Sequence, residues 1–250
     1  MNEAGEPGRF SRSELLLGAA SVERLKRCHV AVFGLGGVGS YAVEALARAG
    51  VGTLTLVDYD RICKTNINRQ LYALDSTVDR LKVEVAAERC RDINPQITVF
   101  AVSQRYTPGN GAELLKEPFD FVLDCIDTIS AKLDLITTCK QQQLAVISSM
   151  GAANKRDPGQ VVVDDLFRSR SCRLARIMRK ELRKRGIEQD LPAVFSTEQG
   201  SSACEPIPAV VRRKGVAIER PPMGSISTIP PLFGLMMAGF VINTLTEVAP

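Results

Sequence analysis

His29–Ser40 reads HVAVFGLGGVGS, and Leu54–Gln70 reads LTLVDYDRICKTNINRQ. In the first stretch a short apolar run ends in Gly34-Leu35-Gly36-Gly37-Val38-Gly39. A good helix former follows, YAVEALARA at 41–49, and Gly50 stops it. The second apolar run ends at Asp58. Strand, glycine turn, helix, strand and acidic residue make a nucleotide-binding βαβ unit. Gly34 permits a tight turn, Gly36 leaves room for phosphate beside the backbone, and Gly39 lets the helix lie close to the sheet. The helix start at Gly37–Ser40 offers unpaired N–H groups to an anion. Asp58 lies 24 residues after Gly34, near the usual spacing for a carboxylate that takes ribose hydroxyls.

Working outward, strands are predicted at about 29–33, 53–57, 97–103, 119–125 and 144–149. Helices are predicted over 11–26, 41–49, 79–94 and 131–142, with a weaker signal at 110–116. Alternating strands and helices give an α/β class with a Rossmann-like open sheet. Residues 1–8 read as disordered. After Ala153 the character changes: a turn at NKRDPG, a short strand or edge at VVVDDL, and an arginine-rich helix over 168–185. Residues 186–225 are rich in Pro, Gly and Ser and read as including a loose loop. Ile226–Leu245 is an apolar tail, interrupted by Pro230, Pro231, Asn243 and Thr244, and is expected to be a buried or interface helix, not an integral membrane span. The chain therefore divides into a helical arm (1–28), a nucleotide-binding core (29–153) and a part for substrate binding and dimerisation packed on that core (154–250).

Composition sets limits. The chain has 250 residues, 45% hydrophobic and 24% charged, with a formal net charge of +4, as an ordinary soluble domain does. Seven cysteines at irregular spacing, with no Cys-x-x-Cys pair and one histidine, argue against a zinc site and for reduced thiols in a cytoplasmic protein. The N-terminus lacks the apolar core of a signal peptide.

The loop after Asp58 argues against plain NAD binding. Asp60, Asn66, Arg69 and Gln70 crowd a polar stretch, and an Asn and an Arg three apart can hold a triphosphate. Lys82, at the start of the next helix, adds a cation. Asp127 lies just past the carboxyl end of a central strand, where ligands bind in such sheets and a carboxylate can hold Mg2+ against phosphate oxygens. Each also has a plainer reading. Asn66 can cap a turn, Arg69 can make a salt bridge, Lys82 and Lys132 can face solvent, and Asp127 can cap the helix that starts near Ser130.

Together these stretches resemble the E1-like activating enzymes, the adenylating enzymes of thiamine, molybdopterin and ubiquitin-like pathways. The resemblance is carried by RFSR at 9–12, GLGGVGS at 34–40, DYD at 58–60, TNINRQ at 65–70, LKVE at 81–84 and CIDTISAK at 125–132. CRLARIMRKELRKRGI at 172–187, VFSTEQ at 194–199 and the tail 224–245 are similar to the branch that dehydrates threonylcarbamoyladenosine in tRNA.

The resemblance implies ATP and Mg2+ as cofactors and a carboxylate activated as an acyl-adenylate. It implies that Asp58 binds the ribose, that Asn66, Arg69 and Lys82 bind phosphates, and that Asp127 binds the metal. Arg12 would reach the partner's ATP across a homodimer, although Phe10 and Ser13 replace the family's usual Tyr and Gln. The implied substrate is the anticodon arm of tRNA. The arginine-rich helix suits RNA phosphates, and Arg212, Arg213 and Lys214 could extend that surface. A basic solvated face or dimer contact is the plainer reading of that helix. A monovalent cation (K+ or Na+) beside Asp127 or Ser149 and a sulfur-transfer protein partner stay open. The alternative within the fold is adenylation of the C-terminus of a small sulfur-carrier or ubiquitin-like protein. Relatives that do so commonly carry two Cys-x-x-Cys pairs and a loop cysteine. Cys204 is the nearest thiol to the latter and reads as structural or incidental. A nicotinamide dehydrogenase or a silent RNA-binding scaffold fits the loop residues less well.

Overall fold

The computed structural model describes residues 7–199 and 223–246, together with the backbone of 209–213 and 216–220. Most of 1–8, Cys204 and Lys214 lie outside the described residues, as do the side chains of Arg212 and Arg213. Two short helices, α1 (Ser11–Leu17) and α2 (Ala19–Leu25), precede β1 (His29–Phe33). The single helix expected over 11–26 is broken at Gly18, whose φ of +83° cannot continue a right-handed helix. Then come α3 (Gly39–Ala49), β2 (Thr53–Val57), α4 (Lys82–Ile93), β3 (Thr98–Val102), α5 (Gly111–Leu114), β4 (Phe121–Asp124), α6 (Ile129–Gln141) and β5 (Val146–Ser149). The chain continues through β6 (Val161–Asp165), α7 (Arg173–Arg183), β7 (Pro192–Ser196), the hairpin β8 (Ala209–Arg213) and β9 (Val216–Arg220), and α8 (Ile229–Thr246).

Seven strands form one sheet in the order β3-β2-β1-β4-β5-β7-β6, parallel except for β6, which runs antiparallel to β7. Strand order reverses between β1 and β4, which opens a crevice at their carboxyl ends. Both faces are covered, as parallel sheets require. Val30 and Val32 join one apolar cluster with α3, α4 and α8, while Ala31 and Phe33 join the other with α6 and α7.

Within 186–225, β7 is buried and joins the sheet between β5 and β6, and β8 pairs antiparallel with β9; residues 200–208, where a loose loop was expected, lie outside the described residues. One further expectation, the start of the helix after the polar loop, is corrected here. The helix after the polar loop starts at Lys82, not Asp79. Ile62 and Asp79–Arg80 exchange backbone hydrogen bonds instead, and Arg61 bridges to Leu81.

The apolar tail is α8, with Pro230 and Pro231 in its first turn, where their missing N–H groups cost nothing. Phe233, Met237 and Val241 are buried in the core. A Cβ on Gly234 would lie 2.1 Å from the Val38 carbonyl oxygen, so α8 and α3 touch backbone to backbone. By length and composition α8 could cross a membrane; half of it is buried within this structure.

Candidate active site

Strand register assembles the site. Phe33 pairs with Val57 on one side and Asp124 on the other. The first residues past these strands, Gly34, Asp58 and Cys125, therefore line up along one rim. The Gly34 N–H donates to the Val57 carbonyl (2.8 Å) and the Cys125 N–H to the Phe33 carbonyl (2.9 Å).

Gly34 takes a φ of +92°, and a Cβ there would press the Cys125 carbonyl oxygen at 2.8 Å. Gly39 is tighter still, since its Cβ would fall 1.8 Å from the Gly34 carbonyl oxygen. Gly37 faces Pro230 of α8 and the Arg69 stem, whose Cγ would lie 3.3 Å from an added Cβ. At Gly36 an added Cβ meets, among the described residues, only the Gln70 amide at 3.9 Å, so none of their atoms crowds the space above it.

Asp58 is buried and holds this turn. Its Oδ2 accepts the Leu35 N–H at 2.6 Å, and its Oδ1 accepts the Asp60 N–H at 2.8 Å. Each carboxylate oxygen keeps a further lone pair that can accept a hydroxyl. Burial pushes the Asp58 carboxyl above its ordinary value, opposed by Lys82 and by the two backbone N–H groups. Lys82 does not face solvent. It is buried, with its ammonium 2.8 Å from Asp60 Oδ2 and 3.9 Å from Asp58 Oδ2.

Lys82→Met removes a cation that the resemblance assigns to phosphate and also the charge that opposes the burial of Asp58. Without the ammonium the Asp58 pKa rises further, so Asp58 stays protonated to higher pH. ATP binding, followed by calorimetry between about pH 5.5 and 8, should weaken by about tenfold through the lost cation, and its acid limb should move upward because the Asp58 carboxyl is raised further.

Asn66 sits on a short 3-10 turn and caps it, accepting the Cys63 N–H at 3.2 Å, as the plainer reading anticipated. Arg69 folds back on its own loop and donates to the Thr65 carbonyl (2.9 Å) and Asn68 Oδ1 (2.8 Å). The loop is stapled to the first turn of α3: the Leu71 N–H donates to Ser40 Oγ and the Tyr72 hydroxyl to the Ser40 carbonyl. Neither staple was visible in the sequence.

Asp127 is exposed, and among the described residues its carboxylate has one hydrogen bond, accepted from the Thr128 hydroxyl at 3.2 Å. It does not cap α6. Thr128 holds that position, and no side chain caps the helix. Lys132, read as able to face solvent, is fully buried and pairs with Asp124 Oδ2 at 2.8 Å. Arg12 is exposed on α1 and is not brought to this rim within one chain. Its neighbour Phe10 packs on Gly50, at the far end of α3 from the glycine turn, roughly 16 Å along the helix.

The model of the ThiF family matches residues 10–250. The chain belongs to the ThiF family. Among curated members, tRNA threonylcarbamoyladenosine dehydratase of Bacillus subtilis is 40% identical over 240 residues, covering 95% of this chain and 94% of that protein. Molybdopterin-synthase adenylyltransferase of Salmonella typhimurium is 37% identical over 166 residues, 66% of this chain and 65% of that protein. Among solved structures, Escherichia coli tRNA N6-threonylcarbamoyladenosine dehydratase in complex with ATP matches this ThiF-family chain with a TM-score of 0.85 at 32% identity, covering 96% of this chain and 94% of that one. The same enzyme in complex with AMP gives a TM-score of 0.84. The Rossmann-like sheet expected from the alternating strands and helices, in the E1-type form that the resemblance implied, is thus the fold found.

Proposed function

We infer that this chain is an ATP-dependent tRNA threonylcarbamoyladenosine dehydratase. The observation that carries this reading is the near full-length match to dehydratases, one of them crystallised with ATP, in a chain whose glycine turn, Asp58, Arg69, Lys82 and Asp127 gather at one sheet crevice. The substrate is N6-threonylcarbamoyladenosine at position 37 of tRNA, in the cytoplasm. Its threonyl carboxylate attacks the α-phosphorus of ATP and pyrophosphate leaves. The carbamoyl group then attacks the activated carbonyl, AMP leaves, and the ring closes. Such a closure has high effective molarity and needs no protein nucleophile.

In this reading Gly34, Gly36, Gly37 and Gly39 cradle the nucleotide, Asp58 accepts the ribose hydroxyls and Asp60 holds Lys82 in place. Arg69 leaves its loop contacts to meet the phosphates with Asn66 and Lys82. Among the described residues no cluster of three metal-ligating side chains exists. One exposed carboxylate nevertheless suits Mg2+, which usually takes one or two carboxylates along with substrate phosphates and water. Bound there, the ion would neutralise phosphate charge as pyrophosphate departs. Leu15 and Leu16, 80% and 84% exposed on α1 beside Arg12, support a homodimer in which Arg12 serves the partner's site.

The basic helix supports the tRNA partner. Ala175, Met178 and Leu182 bury one face of α7. On the other, Arg173, Arg176 and Lys180 are exposed and enter no ion pair within the described residues. Arg168 and Arg170 line a neighbouring groove with Val162 and Phe195. Arg173→Glu combined with Arg176→Glu should raise KM for tRNA about tenfold or more and flatten its salt dependence, with KM for ATP unchanged.

The test of the whole reading is mass spectrometry of nucleosides from threonylcarbamoyl-modified tRNA incubated with the protein and Mg2+, with and without ATP, after mild digestion. ATP-dependent loss of one water supports it. Pyrophosphate release that appears only when a small carrier protein is added would replace it with carrier adenylation.

A further inference from the structure

At the carboxyl end of β4 lies an ion pair that no nucleotide contact explains. Asp124 and Lys132 are both fully buried. Asp124 Oδ2 accepts from the Lys132 ammonium at 2.8 Å and from the Ser148 hydroxyl at 2.6 Å, while its Oδ1 accepts the Ile126 N–H at 3.3 Å. The ammonium also donates to the Asp124 carbonyl at 3.4 Å. Burying two charges costs solvation that their attraction does not reliably return, and apolar residues of like volume often do as well for stability. The pair therefore calls for a role other than stability.

Its position supplies one. Asp124 ends β4, Lys132 sits in the first turns of α6, and Ser148 lies beside Asp124 on β5. Between the two charges runs the segment 125–131, which holds Asp127 and the first three residues of α6. The pair closes this segment at both ends, and the bond to the Ile126 N–H fixes the residue before Asp127. On its other side the segment rests on the glycine turn, where Cys125 meets Gly34. Among the described residues the exposed Asp127 carboxylate has one other contact to orient it, the Thr128 hydroxyl.

We propose that Asp124, Lys132 and Ser148 are positioning residues that aim the Asp127 carboxylate at the Mg2+ of bound ATP. The proposal rests on reading Asp127 as the metal carboxylate. It predicts that disturbing the pair weakens the metal's contribution to nucleotide binding and spares the nucleotide's own contacts.

Calorimetry with α,β-methylene ATP, in Mg2+ and in EDTA, reads both on the full-length protein without turnover. The D124N/K132Q double variant removes both charges together, so neither is left bare in the interior. Expected is a loss of about tenfold or more in the tightening that Mg2+ confers, with binding in EDTA within about twofold of wild type. D127A should lose the same tightening. Retained tightening in a folded double variant overturns the proposal, as does an equal loss in Mg2+ and EDTA, which would mark the pair as merely structural. Tightening kept by D127A but lost in the double variant also overturns it, because the pair would then act elsewhere. Tightening kept by both means the metal reading of Asp127 has itself failed, and the proposal falls with it. Should the double variant not fold, S148A keeps the ion pair and removes one hydrogen bond. A loss of about threefold in tightening supports the proposal, and no change overturns it.

Discussion

Asp127→Ala is expected to abolish dehydration of modified tRNA while leaving the fold as it is. The carboxylate is exposed and has one hydrogen bond, to its neighbour Thr128, so its loss should move the melting temperature by no more than about 1–2 °C. Catalysis is another matter. A carboxylate that holds Mg2+ on departing phosphate contributes in the transition state, and several kcal/mol there corresponds to a fall of about a thousandfold or more in kcat/KM. Single-turnover formation of the dehydrated nucleoside gives the rate, and thermal melting gives the fold. Normal melting with lost adenylation places Asp127 in the chemistry. A rate within about tenfold of wild type would remove it from the metal site. Neighbouring Thr128 sharpens the contrast, because Thr128→Val removes the hydroxyl that touches Asp127 and should cost far less.

How much of this site the sequence disclosed depends on how local each signal is. The glycine turn and Asp58 were legible because five or six adjacent residues and one fixed spacing carry them. Lys82 was legible as a cation but not as a buried one, since its burial comes from Asp58 and Asp60, more than twenty positions earlier. The Asp124–Lys132–Ser148 group escaped notice for a related reason. In FDFVLDC the second aspartate, Asp124, is masked by an apolar run, and only the fold sets it against a helix lysine and a serine from the next strand. A charge inside a buried strand, followed eight residues later by the opposite charge, was the available signal. β7 was missed because PAVFS is short, begins with Pro192, and becomes a strand only through partners in β5 and β6. Asp79 failed as a helix start because residues 61–62 capture the backbone of 79–81. In each case a contact distant in sequence overrode a local preference.

The glycines of the turn divide the two kinds of information, and substituting them separates fold from ligand. Gly39→Ala places a methyl group 1.8 Å from the Gly34 carbonyl oxygen, a backbone atom that cannot swing aside. Helix α3 must lift from β1, and because Gly234 brings α8 against the same helix backbone, the disturbance spreads into the core. Overpacking of this kind costs about 3 kcal/mol or more, which in a chain of this size lowers the melting temperature by about 6–12 °C. Among the described residues Gly36→Ala meets only the Gln70 amide at 3.9 Å, and the variant should melt within about 2 °C of wild type. Its methyl group instead enters the space expected to take phosphate, so ATP affinity should fall by about tenfold or more. Paired melting and nucleotide titrations on the two variants check this. If Gly36→Ala bound ATP normally, the phosphates would have to lie elsewhere along the rim. If Gly39→Ala melted normally, the contact between α3 and the glycine turn would be looser than the structure shows.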